Sequence, residues 1–191
     1  LTTNRGSGSV AVIDLDRALP GGGERMSAAG AVLAEWDLGR RLADLAVSGD
    51  GRHVFVVDEA GDELICGARD HAAAPEDLRL VARLAVPGAP VSVTASSDGA
   101  RVYVASLWAR RLTIIDAEQA TDGRSRLVAR TTIELPFAPR RQVLADDGRV
   151  LIVAGSFAAE LATIDTDSGE ILTRRAWDAH NVRGLAVSPD G

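Results

Sequence analysis

The 191 residues predict an all-β chain of short antiparallel strands grouped in fours. Three observations carry this. Asp-Gly returns about every fifty residues, at Asp50-Gly51, Asp98-Gly99, Asp147-Gly148 and Asp190-Gly191. Short apolar runs flank these pairs in a repeating order. The runs are β-branched and too short for helices, as in Val54-Phe55-Val56-Val57 and Val150-Leu151-Ile152-Val153.

The first strand of each unit precedes Asp-Gly: Leu42–Val47, Val91–Ala95, Gln142–Ala145 and Gly184–Val187. The second follows it: His53–Val57, Arg101–Ala105 and Arg149–Ala154. The third ends in a hydrophobic pair and Asp: Val12-Ile13-Asp14, Ile114-Ile115-Asp116 and Thr163-Ile164-Asp165. Leu64-Ile65-Cys66 is assigned to the same slot, with Cys66 in place of the Asp. The fourth strand is Val32–Trp36, Leu80–Val86, Arg130–Leu135 or Glu170–Trp177. Between the first two strands, Gly supplies the left-handed residue that closes the turn. Continuous apolar strands mean that both faces of a sheet are covered. Four-stranded antiparallel units, repeated and covered on both faces, describe the blades of a β-propeller. A β-sandwich would not require the same four-segment order to recur at a regular period.

The expected organisation is a single partial propeller domain over residues 1–191, about four blades of a seven-bladed ring. The chain is expected to start in the third strand of one blade, with blades ending near residues 36, 86, 135 and 177. Residues 178–191 would start a further blade. Leu19–Gly30 and Gly67–Asp77 are expected to be loops between outer strands. The sequence begins with Leu1 and stops inside Ser188-Pro189-Asp190-Gly191, so a piece of a longer protein is expected.

Arg101–Ser106, between Ser97-Asp98-Gly99 and Leu112–Asp116, resembles the YVTN family of β-propeller repeats. So does Val182–Gly191, and Asn4–Leu15 resembles the matching hairpin of second and third strands. Asp178–Leu185 is similar to a motif of bacterial YVTN propellers fused to c-type cytochrome domains related to di-haem peroxidases. That resemblance implies a periplasmic or extracellular protein, with a covalently linked redox domain as partner. Any haem c would sit outside these residues, which contain no Cys-x-x-Cys-His.

Composition excludes several chemistries. All 21 basic residues are Arg, against 27 acidic ones, for a net charge of −6. Without Lys there is no Walker-type phosphate loop and no Schiff base. The acidic balance argues against nucleic acid as a partner. One cysteine excludes an intrachain disulfide and a multi-cysteine zinc site. No apolar run has the length of a membrane-spanning helix. Asp165–Glu170 has a faint likeness to a calcium loop, but a hairpin turn explains it. Trp36 and Trp177 are assigned to packing between blades. No catalytic, cofactor or metal residue is nominated.

The candidate binding residues lie where inner strands begin. Arg140 and Arg183 occupy the position seven residues before the Asp of Asp-Gly, as do Ala43 and Val91. They are expected at the mouth of a central channel, with Arg141 and Arg41 nearby. Guanidinium groups there suit a carboxylate, a phosphate or an acidic partner. The competing reading pairs them with Asp44 or Asp178. His180, beside Asn181, precedes an inner strand and is a candidate ligand or base; a structural role is the competing reading. The expected function is a non-catalytic scaffold for a protein or an anionic small ligand. The alternatives are an accessory domain of a haem-c oxidoreductase and a lactonase-type hydrolase.

Overall fold

The computed structural model describes residues 1–18, 30–69, 77–119, 125–180 and 182–188. Most of the two expected long loops, Asn181 and the last Asp-Gly lie outside the described residues.

The described residues form an all-β segment of a propeller. Sheet A is β1 (Thr2–Asn4), β2 (Ser9–Ile13) and β3 (Val32–Asp37). Sheet B is β4 (Leu42–Val47), β5 (His53–Asp58), β6 (Glu63–Arg69) and β7 (Leu78–Ala85). Sheet C is β8 (Pro90–Ala95), β9 (Arg101–Ser106), β10 (Arg111–Gln119) and β11 (Ser125–Glu134). Sheet D is β12 (Pro139–Ala145), β13 (Val150–Gly155), β14 (Ala159–Asp165) and β15 (Ile171–Trp177). Every pairing is an antiparallel meander between consecutive strands. One helical turn, α1 (Leu15–Ala18), follows β2.

Alternation along the second strands builds the core. Val54 and Val56 join Val10, Leu42 and Ile65 in a cluster between sheets A and B. The intervening Phe55 and Val57 face the other way, into a cluster with Val102, Val104 and Ile115 between B and C. Tyr103 and Ala105 then join Leu151, Val153 and Ile164 between C and D. Each middle sheet is therefore packed on both faces, which is why its strands read as unbroken apolar runs.

The turns follow local chemistry. Gly51, Gly99 and Gly148 have φ of 70°, 69° and 85°. The Ser48 hydroxyl donates to Asp50 at 2.6 Å and accepts from the His53 N–H at 2.9 Å. Ser96, Asp98 and Arg101 repeat this pattern. The third copy has Ala145 in the serine position, and Asp146 and Asp147 both take left-handed backbone there. In the last hairpin, Asp165 accepts from the Asp167 and Ser168 N–H groups at 3.1 and 2.7 Å, with Gly169 at φ 75°. That is the hairpin turn expected for this segment.

Two bulges recur and give the register of the repeat. One lies between strands three and four, at Val12/Ile13, Cys66/Gly67, Ile114/Ile115 and Thr163/Ile164. Cys66 is therefore equivalent to Ile114, and the slot of Asp116 falls on Ala68, two residues later than expected. The sequence misleads here because Gly67 and Ala68 are small where other copies carry Ile-Asp. A Cβ at Gly67 would come within 2.6 Å of Leu78, which occupies that space instead. The second bulge, in the first strand, isolates Ala43, Val91 and Arg140.

Two other expectations change. Thr2–Asn4 pairs with β2, so the first sheet begins in its second strand, not its third. Residues 182–188 form no strand. In sheets B, C and D the first strand is held by the strand that follows it, and 182–188 have no such partner among the described residues. Trp36 packs against the cluster between A and B, and Trp177, on the last strand of sheet D, is 52% exposed.

Polar contacts fasten the seams. The Gly49 N–H donates to the Ser97 carbonyl at 2.8 Å. Asp44 accepts from the Ser92 hydroxyl at 3.0 Å and the Val93 N–H at 3.1 Å. Arg101 donates to Asp167 at 2.7 Å and the Thr166 carbonyl at 3.1 Å.

Candidate functional site

The first strands β4, β8 and β12 pack side by side. Their bulges re-aim one side chain per strand, as bulges do. The three bulge residues, Ala43, Val91 and Arg140, line one small cavity of about 90 Å³ with Arg5, Glu59, Leu107 and Arg141. The convergence of equivalent positions brings this end of the sheets into a common face. Arg5, Glu59, Leu107 and Ser156 are themselves equivalent, each following the last residue of a second strand.

An open cleft of about 520 Å³ adjoins the small cavity. Arg140, Arg141, Ser156, Phe157 and Arg183 line it. Arg141 lies 3.9 Å from Asp44, so the pairing weighed from the sequence holds for it, loosely. Arg140 and Arg183 have no ion pair among the described residues. Among the described residues the cleft thus holds two guanidinium groups without a carboxylate partner, each with planar donors suited to carboxylate or phosphate oxygens.

Arg41 stands apart from the cleft. Its guanidinium meets Glu59 at 3.4 Å, and Glu59 also pairs with Arg5. The Glu59 side chain is only 8% exposed, so this pairing fills the seam between sheets A and B. His180 is exposed, lines neither cavity and makes no hydrogen bond or ion pair among the described residues. Asn181 lies outside the described residues. Among the described residues no group of three or more His, Cys, Asp or Glu could hold a metal ion.

Three features of this face were not singled out in the sequence. Asp58, 1% exposed, accepts the Arg40 N–H at 2.7 Å, the Arg41 N–H at 2.9 Å and the Ala60 N–H at 3.0 Å. Burial works to raise its pKa, but bonds from the Arg40, Arg41, Ala60 and Gly61 amides outweigh it and hold the carboxyl below its ordinary range. It pins the link between sheets A and B beside the site. The second and third features are Trp108 and Phe157, whose rings stack at 5.8 Å and 29°. Their separation of one repeat was the available signal.

Elsewhere, Cys66 is buried and its thiol is pushed up to about 12, so it is no nucleophile. With one buried cysteine, these residues offer no thioether pair for a covalent haem.

Comparisons with known proteins follow the fold. No family model matches the chain, and no curated protein matches it. Among solved structures it is similar to Kuenenia stuttgartiensis hydrazine synthase, with TM-score 0.67 and 21% identity over 84% of this chain and 44% of that one. It is similar to the Pseudomonas aeruginosa periplasmic gluconolactonase, PpgL, with TM-score 0.63 and 24% identity over 79% of this chain and 45% of that one. It is also similar to a β-propeller domain from Myceliophteria thermophila, with TM-score 0.69 and 14% identity over 100% of this chain and 58% of that one. The chain thus spans about half the length of these structures. At these identities the likeness is one of fold: a β-propeller of about four blades.

Proposed function

We propose that this segment is a binding scaffold, not catalytic by itself, whose working surface is the face bearing Arg140, Arg141 and Arg183. One observation carries the reading. Three arginines from two stretches of chain line a single cleft, and among the described residues only Arg141 has a carboxylate within 4 Å. Uncompensated like charges repel and are retained at a cost unless a partner neutralises them. The partner is anionic: a carboxylate or phosphate on a small ligand, or on a neighbouring domain or protein. In the whole protein, Arg140→Ala and Arg183→Ala should each weaken binding of a multivalent anion such as citrate about tenfold, measured by calorimetry at low salt. Unchanged affinity in both variants sinks the reading.

A second reading rests on the likeness to the periplasmic gluconolactonase. It makes the same cleft a lactone site, with Arg140 and Arg183 on the ring carboxyl. Lactone hydrolysis by the whole protein, lost in Arg140→Ala, would support it; no hydrolysis removes it. The resemblance of Asp178–Leu185 favours an extracytoplasmic protein in which the face docks a haem-c domain. A haemochrome spectrum of the whole protein tests that. Among the described residues no helix is long and apolar enough to cross a membrane.

A further inference from the structure

Trp108 and Phe157 are the two most exposed aromatic residues described, at 66% and 62%. The chain is sparing with such side chains, having three Trp, three Phe and one Tyr. Phe55 and Tyr103 are fully buried and Phe137 is 5% exposed. Leaving a large ring in water forgoes about 1.5–3 kcal/mol of burial, so exposure of two adjoining rings asks for a reason.

The architecture does not require them. Trp108 lies two residues beyond Ser106, and Phe157 two beyond Gly155, at the tips of neighbouring second-to-third-strand hairpins. The same position holds Ala60 in sheet B and Gly6 in sheet A. Those hairpins close without a ring. Nor do the rings join a core cluster: Trp108 and Phe157 belong to none of the three. They are stacked on each other, and Phe157 also lines the cleft with Arg140, Arg141 and Arg183.

We infer that the cleft takes a small anion carrying a planar ring, with the charge held by Arg140 and Arg183 and the ring laid against the Trp108–Phe157 pair. This rests on the reading of the face as an anion site and narrows its ligand class. An arginine cluster alone accepts any anion. Aromatic faces beside it add attraction for a flat, polarisable ring and none for a compact ion. Stacking also orients the ligand, so that its carboxylate, phosphate or phosphonate meets the guanidinium edges. Ser156 also lines the cleft.

A matched pair of probes tests this on the whole protein: phenylphosphonate against methylphosphonate, which share a headgroup and differ in the ring. Binding is followed by calorimetry and by quenching of tryptophan fluorescence, to which exposed Trp108 should contribute. The expected result is about tenfold tighter binding of the phenyl compound. Trp108→Leu and Phe157→Leu should each erase most of that preference, weakening the phenyl compound far more than methylphosphonate. Arg140→Ala should weaken both probes alike. Both aromatic positions are exposed, so the Leu variants should keep the wild-type circular dichroism and melting curve. Equal affinity for the two probes overturns the ring inference and leaves the anion site standing. Failure of both probes to bind overturns the anion reading as well. A preference that survives both Leu variants places the ring elsewhere and likewise overturns the inference.

Discussion

Replacing Asp58 should open the link between sheets A and B without unfolding the sheets. Its carboxylate accepts the Arg40 N–H on one oxygen and the Arg41 and Ala60 N–H groups on the other, the three closest of its backbone donors. A hydrogen bond to a charged group contributes about 1.5–3 kcal/mol. The three share one acceptor group and the freed amides regain some water, so Asp58→Ala should cost about 3–4 kcal/mol. In Asp58→Asn the amide oxygen keeps the Arg41 and Ala60 bonds, while the amino group faces the Arg40 N–H. That variant should cost about 1.5–2 kcal/mol, the loss of one bond. Hydrogen exchange of the peptide spanning residues 38–42 reads the effect locally. At about 1.4 kcal/mol per tenfold, exchange should quicken more than a hundredfold in the Ala variant and about tenfold in the Asn variant. The pH dependence has a definite sign. The folded carboxyl titrates below its unfolded value, so its contribution is present above the unfolded pKa of about 3.9. It is lost as pH falls through the lower folded pKa. The gap between wild type and Asp58→Ala in urea denaturation should be full at neutral pH and close in strong acid. Exchange within threefold of wild type for Asp58→Ala, or a gap indifferent to acid, refutes the reasoning.

Other outcomes follow from the same structure. Gly8→Ala should destabilise by about 2–4 kcal/mol in a denaturant titration, because Gly8 has φ 74° and a Cβ there would overlap the Gly39 carbonyl oxygen. Phe55→Ala empties a fully buried site between sheets B and C and should cost about 3–5 kcal/mol in the same titration. Asp167→Asn removes a surface partner of Arg101 and should cost about 0.5 kcal/mol, less at high salt. Cys66 should resist a thiol reagent at pH 8 in the folded protein and react on unfolding, since burial holds its pKa near 12.

Strands and turns were legible because their causes are local. Asp-Gly turns need a left-handed residue, and runs such as His53–Val57 are unbroken because sheets pack on both sides. The placement of Cys66 was not legible. It depends on Leu78, from the neighbouring strand, taking the room that Gly67 leaves, and no local rule carries that. The seven-residue offset picked out Ala43, Val91 and Arg140 as equivalent positions, and the bulge that re-aims them shows only in the ladder. Asp58 escaped notice because two of its partners are backbone amides from a link on the other side of β4. Trp108 and Phe157 share a phase of the repeat but are ordinary as single residues. Their meaning comes from exposure and from each other.

The seams have a direction. At the junction of sheets B and C, sheet B donates through Gly49 and accepts through Asp44, while sheet C answers with the Ser97 carbonyl and the Ser92 hydroxyl. The two sides of the junction are different surfaces, so the contact is heterologous and runs head to tail. If such a junction were pulled apart in one molecule, its loose face would match the opposite face of another. The geometry that lets blades follow one another around an axis would then join separate chains, into rings where the rotation closes and into open strings where it does not.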